Sequence, residues 1–365
     1  MTINFNFLVV VLGAILSQGI FASILLGASK TNTVANRFLG ALVLVFSLWL
    51  CDSFFSLAGI YGQNPNYYFL PIYFSLSFGP LVYFYTRALV VKGFVFSKKD
   101  LWHFVPAFLQ FILYVVLRLG TYEQRRWFWL EIHEPFTYDL EFNLSLVSLV
   151  IYLVFAKKLL NRYQDWIKNE YSEISKINLR WLRILFVGLI VLSVLWLGEA
   201  FLRTFYNYFP DTVFMAIPMG VLVLVMAGGG LLQQRILGRF AEKKMPRSGK
   251  DQPFDKKLLE KIESQMQSEK YYLDSELTLN LFAERIGENK RAVSNCINNG
   301  LKVPFIDFVN QYRVQEFKSL VAQKGSNKMS LLGLAYESGF NSKSTFNRVF
   351  KKMTGQNPSQ FQKPD

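Results

Sequence analysis

The feature that most constrains this chain is an uncharged stretch of 22 residues at 5–26. At about 1.5 Å of rise per residue, a helix of that length crosses the hydrocarbon core of a bilayer. Further apolar runs follow at 38–60, 69–85, 101–117, 142–156, 184–208 and 212–234. Lipid offers backbone groups no partners, so each run must satisfy its own N–H and C=O groups, which predicts helices and excludes open sheets. The expectation for residues 1–238 is a seven-helix transmembrane bundle. No basic n-region precedes the first run and no A-x-A-type site follows it, which favours a spanning helix over a cleaved signal peptide. The run at 142–156 is short unless it extends to Lys157 and Lys158, whose long stems reach towards the interface.

Loop charges orient the bundle. Within residues 1–238, the stretches after the first, third, fifth and seventh runs hold 14 Lys and Arg, and those on the opposite side hold four. Basic excess marks the cytoplasmic side. The chain is therefore expected to be a multi-pass protein of the inner (cytoplasmic) membrane with its N-terminus outside. An odd number of crossings then puts the C-terminal part in the cytoplasm.

Charge and hydropathy separate along the chain. The mean hydropathy is +0.22 although the formal charge is +14. Residues 1–238 carry a net +6, and the much shorter 239–365 carries +8. Residues 239–255, with Arg239, Lys243, Lys244, Arg247 and Lys250, form a basic juxtamembrane linker suited to anionic headgroups. Just before it, Gly228-Gly229-Gly230 predicts a weakened helix and a hinge.

Ionisable and strongly polar groups inside spans are costly and are often functional. Asp52, Gln110 and Glu199 are such groups, and Arg203 follows Glu199 by one helical turn, so these four are the candidate sensing residues. Glu199 can pair with Arg203, whereas Asp52 has no evident local partner. The segment 118–141 mixes aromatics with Glu123, Glu131, Glu134 and Asp139, and is either a cap over a ligand or an interfacial aromatic belt. Only two cysteines, Cys51 and Cys296, and two histidines, His103 and His133, occur in the chain. No HExxH or Cys/His cluster, paired aspartates or Ser/Lys constellation is present, so neither a metal, a cofactor nor an enzymatic activity is expected.

The C-terminal part, 256–365, has another pattern. In 330–361 Leu331, Leu334 and Ala335 recur at helical spacing, Ser338-Gly339 breaks the run, and Phe346, Val349 and Phe350 share one face of a second helix. The opposite face carries Lys343, Ser344, Asn347, Arg348 and Lys351, side chains suited to phosphates and base edges. Residues 277–300 repeat the arrangement: Leu281, Phe282 and Ile286 face inward, Gly287 turns the chain, and Lys290, Arg291, Ser294, Asn295 and Asn298 face outward. Cys296 falls on the buried side of this helix. Between the two, 303–321 reads as one continuous helix.

The wording AYESGFNSKSTFNRVFKKMTGQNPSQF resembles the second helix-turn-helix of AraC/XylS-family transcription regulators. Ala335, Gly339-Phe340, Phe346, Arg348, Phe350-Lys351, Gly355, Pro358 and Phe361 fall on that family's pattern, and VNQYRVQEF resembles its linker helix. The resemblance covers about residues 270–362. It implies a cytoplasmic all-α domain with two helix-turn-helix motifs joined by a linker helix, which enter successive major grooves about one helical turn (~34 Å) apart. The first recognition helix departs from the pattern in its small residues, Ala292, Ser294, Asn295 and Asn298, so the second is expected to supply more of the phosphate attraction.

The expected function is a membrane-embedded one-component transcription regulator controlled by a signal sensed in the membrane domain. Its expected partners are double-stranded DNA, the lipid bilayer and a signal molecule or protein, and a homodimer is compatible with the pattern. The alternative is a transporter or channel with a DNA-binding regulatory tail.

Overall fold

A computed structural model describes residues 6–30, 32–64, 67, 69–175, 177–208, 210, 213–232, 253–324 and 329–361. The chain forms two compact units: Met1–Asn161 with Leu179–Glu242, and Arg162–Asn178 with Lys243–Asp365. Residues 162–178 precede two apolar runs in sequence yet fold with the C-terminal unit. The described residues are predominantly helical and contain no strand beyond isolated bridges.

The first unit contains α1 (Phe7–Ala28), α2 (Thr33–Leu57), the single turn α3 (Ile60–Gln63), α4 (Phe78–Val90), α5 (Val105–Leu119), the short α6 (Tyr122–Phe128), α7 (Tyr138–Glu170) as far as Asn161, α8 (Arg180–Tyr206) and α9 (Val213–Leu232). Asn6 starts α1 by accepting the Val9 amide at 2.9 Å. Among the described residues six helical runs are long and apolar enough to cross a membrane: α1, α2, α8, α9, the run Lys98–Leu119 that contains α5 and the run Tyr122–Glu170 that contains α7.

The expected third span at 69–85 differs. Its helix, α4, has 13 residues and follows a 3-10 turn at Ser75–Ser77, together about 25 Å long, somewhat less than the ~30 Å hydrocarbon core. Every α4 residue except Tyr83 and Arg87 is buried. Neighbouring parts of the chain therefore enclose it, and irregular backbone is tolerated where protein surrounds it. The helices around it leave apolar stripes outside: Phe108, Leu109 and Val116 on α5, and Ile184, Val187 and Val194 on α8, each 59–62% exposed. Stripes of that extent need an apolar surrounding.

The triple glycine lies inside α9. A Cβ at Gly229 would come within 2.5 Å of the Trp181 ring, and one at Gly230 would collide with Leu39. Close helix packing accounts for these two glycines. The basic run from Arg235 to Lys250 lies outside the described residues.

In the second unit α10 (Lys256–Ser268), α11 (Leu279–Arg285), α12 (Lys290–Asn295), α13 (Phe305–Lys324), α14 (Leu331–Glu337), α15 (Lys343–Thr354) and α16 (Pro358–Phe361) enclose two apolar clusters. Helix α13 serves both, giving Phe305, Phe308 and Val309 to one and Val314 and Phe317 to the other. N-caps set the helix starts. Thr278, Asn289, Ser330 and Ser342 each accept an amide from the first turn of α11, α12, α14 and α15 respectively. Gly339 has φ +90°, and a Cβ there would strike the Tyr272 carbonyl, so the turn between α14 and α15 requires glycine.

Candidate functional site: a recognition face and a buried cavity

Helix α15 buries Thr345, Phe346, Val349 and Phe350. The helical period then leaves Lys343, Ser344, Asn347, Arg348 and Lys351 exposed on the other side. Lys343, Arg348 and Lys351 make no hydrogen bond or ion pair with any described residue, whereas Lys352 reaches Asp307 at 2.8 Å. Three cations within about two and a half helical turns make a surface that attracts polyanions.

Helix α12 is more occupied. Lys290 and Arg291 are exposed, but Lys290 is paired with Glu170 at 2.6 Å. Ser294, Asn295 and Asn298 are half-buried and bonded inside the protein. Asn298 donates to Ser294 Oγ at 3.1 Å, Asn295 donates to the Pro253 carbonyl at 2.9 Å, and Asn299 donates to Asn295. Asn298 also lies beyond α12, in a π turn at Cys296–Gly300. Cys296 is buried at 1% exposure with its thiol pushed up by burial, consistent with a core role.

Arg313 was not singled out by sequence reasoning. Its side chain is wholly buried on α13. It donates to the carbonyls of Tyr272 and Asp274 at 2.8 Å each, to Ser172 Oγ at 3.1 Å and to the Ser172 carbonyl at 3.4 Å. Burial pulls its guanidinium down to about 10, while the carboxylates of Glu173 and Asp274 act the other way. It stays charged at neutral pH. The segment 162–178 is further joined to this unit by the Ser172 amide on the Leu277 carbonyl at 3.1 Å and by an antiparallel bridge between Tyr171 and Thr278. Glu173 accepts from Thr345 Oγ1, in the first turn of α15, at 3.2 Å.

The first unit holds a cavity of about 360 Å3. Asp52, Glu199 and Arg203 all line it. Gln110 supports its wall by donating to Glu141 and, at 3.2 Å, to Ser75, both lining residues. The four polar residues singled out in the sequence thus gather around one space, although they come from α2, α5 and α8. Asp52 has partners after all: Tyr61 donates to it at 2.5 Å, and Tyr73 donates to the same oxygen. Arg203 is bound to Glu199 at 2.6 Å and lies over the rings of Tyr138 and Phe142, 5.1 and 5.2 Å from their centroids.

Segment 118–141 is helical, comprising α6, a π turn at Trp129–Thr137 and the first turn of α7. It contributes Trp129, His133, Tyr138 and Glu141 to the cavity wall. Sequence reasoning passed over Glu141. The only sign of it was an acidic residue at the start of an apolar run.

Comparison with known families assigns part of this architecture. The family model described as "Helix-turn-helix domain" matches residues 282–364, from within α11 past α16. Neither the curated proteins nor the solved structures contain a match. The chain therefore carries an AraC-type helix-turn-helix domain at residues 282–364, after a region that holds, among the described residues, six helices apolar and long enough to span a membrane. Such a domain is a DNA-binding module of transcription regulators.

Proposed function

We propose that the chain is a membrane-embedded one-component transcription regulator. Residues 1–238 form the membrane domain, 239–255 a basic linker and 256–365 the DNA-binding domain. The N-terminus is outside and the C-terminal domain lies in the cytoplasm, with α4 completing seven crossings of the inner membrane. One observation carries the reading: an AraC-type domain whose α15 leaves Lys343, Arg348 and Lys351 unpaired among the described residues shares a chain with a buried polar cavity among apolar helices.

Helix α15 enters a major groove, with Arg348 and Asn347 at base edges and Lys343, Ser344 and Lys351 on phosphates. Helix α12 contributes Lys290 and Arg291 as phosphate contacts, and Ser294, Asn295 and Asn298 act at its periphery. The signal is sensed at Asp52, Gln110, Glu199 and Arg203.

Selection of duplexes from a random pool by the full chain in nanodiscs tests this reading. It predicts enrichment of one motif with two half-sites about one helical turn apart. Recovery of unselected sequence that is lost at moderate salt would contradict it, and saturable solute flux through vesicles without sequence-selective DNA binding would favour a transporter.

A further inference from the structure

The cavity of the first unit has an unbalanced polar lining. Three carboxylates, Asp52, Glu141 and Glu199, face it, and one guanidinium, Arg203, is already bound to Glu199. Asp52 accepts from the hydroxyls of Tyr61 and Tyr73, and Glu141 accepts from the Gln110 amide and the Tyr114 hydroxyl. All four donors are neutral, and no ion pair reaches either carboxylate among the described residues. Burying a carboxylate without a counter-charge is costly.

Three wall residues also keep polar atoms without partners. Ser53 Oγ, Trp196 Nε1 and Glu199 Oε2 bond to nothing in the described structure, although these residues are only 0%, 4% and 6% exposed. All three line the cavity. Between the carboxylates the wall is aromatic: Tyr73 and Tyr114 stack at 5.0 Å, Phe69 meets Trp129 edge-on at 5.7 Å, and Phe142 meets Trp196 at 5.3 Å. Arg203 shows that these walls accept a cation, since it lies on Tyr138 and Phe142. Surplus carboxylates and aromatic faces, with Glu199 Oε2 as a further unpartnered acceptor, are the chemistry that recognises an organic ammonium ion.

We propose that the cavity binds a small organic cation, an amine or quaternary ammonium with an apolar body, whose charge sits between Asp52 and Glu141. Its size suits a ligand of about ten to twenty heavy atoms. The proposal deepens the sensing role given to this site and rests on it only for the consequence of binding.

The probe is benzyltrimethylammonium, titrated into the full chain in nanodiscs and followed by tryptophan fluorescence, since Trp49, Trp129 and Trp196 line the space. Saturable quenching is expected, at least tenfold tighter than with the neutral benzyl alcohol or the anionic benzoate, and weakened at least tenfold by Asp52→Asn and by Glu141→Gln. Equal or tighter binding of the neutral or anionic probe to the unaltered chain, or no saturable quenching by any of them, overturns the assignment without relying on how a variant folds. Binding of the cation that leaves DNA affinity unchanged would retain this site and sink its sensory role.

A different observation carries a second inference in the other unit. The geometry points to segment 162–178 as a built-in competitor of DNA. Its Glu170 occupies Lys290, its Glu173 sits beside the first turn of α15, and Ser172 is locked to Arg313. In the full chain, the double variant Glu170→Gln with Glu173→Gln is expected to bind duplex DNA about three- to tenfold tighter. Unchanged or weaker binding would overturn the inference.

Discussion

Replacing Arg313 by methionine tests how the second unit is held together. The guanidinium makes four donations, two of them at 2.8 Å to the Tyr272 and Asp274 carbonyls. Methionine fills similar space without a donor and leaves those carbonyls unsatisfied in the interior. Each stranded acceptor costs about 1–3 kcal/mol. The longer bonds to Ser172 add less, and removing a buried charge returns part of its desolvation cost. The net expectation is a loss of about 2–4 kcal/mol, a large share of the 5–15 kcal/mol typical of a folded domain. Hydrogen exchange on the full chain in detergent, followed at amides of α11, α13 and α14, reads this loss directly. Protection there should fall roughly 30- to 700-fold, at about 1.4 kcal/mol per tenfold. Ser172→Ala removes one acceptor at 3.1 Å and should cost about 0.5–1.5 kcal/mol. If Arg313→Met leaves protection within twofold of the unaltered chain, the buried network does not hold the unit and the reasoning fails.

Three further outcomes are expected. Arg348→Ala should weaken duplex binding, and Lys351→Ala should lower the slope of log affinity against log salt by about one unit; an unchanged slope would remove Lys351 from the phosphate contacts. Gly339→Ala should destabilise the second unit by about 2–4 kcal/mol in the same exchange experiment, because φ +90° strains any side chain and a Cβ there strikes the Tyr272 carbonyl. Cys296 should resist maleimide in the native protein and react on unfolding, given its burial and raised thiol; rapid native labelling would show that the α10–α12 core opens readily.

Periodicity made the helices legible. Long apolar runs became α1, α2, α7, α8 and α9, and the faces of α15 followed from where Phe346, Val349 and Phe350 recur. Hydropathy could not separate α4 from its neighbours, because an enclosed helix and a lipid-facing one are equally apolar and only length and packing distinguish them. Pairings between distant residues were also hidden. The partners of Asp52 lie 9 and 21 residues away, and Ser172 and Arg313 are 141 apart, separations that no local pattern encodes. Glu141 was passed over because a carboxylate at a helix start ordinarily serves the helix dipole, and its place in the cavity depends on α5 supplying Gln110 and Tyr114. The small polar residues of α12 and the π turn after it look like a reading face by spacing, but the structure ties Asn295 and Asn298 into bonds of their own.

The membrane-inserted chain is expected to hold DNA through α15. Crosslinking the full-length protein to DNA in intact cells, followed by isolation of the membrane fraction, tests this directly. The expected result is a defined set of duplex sequences recovered with the unaltered chain and lost with Arg348→Ala combined with Lys351→Ala. Recovery of no DNA, or of the same sequences with both chains, would contradict it.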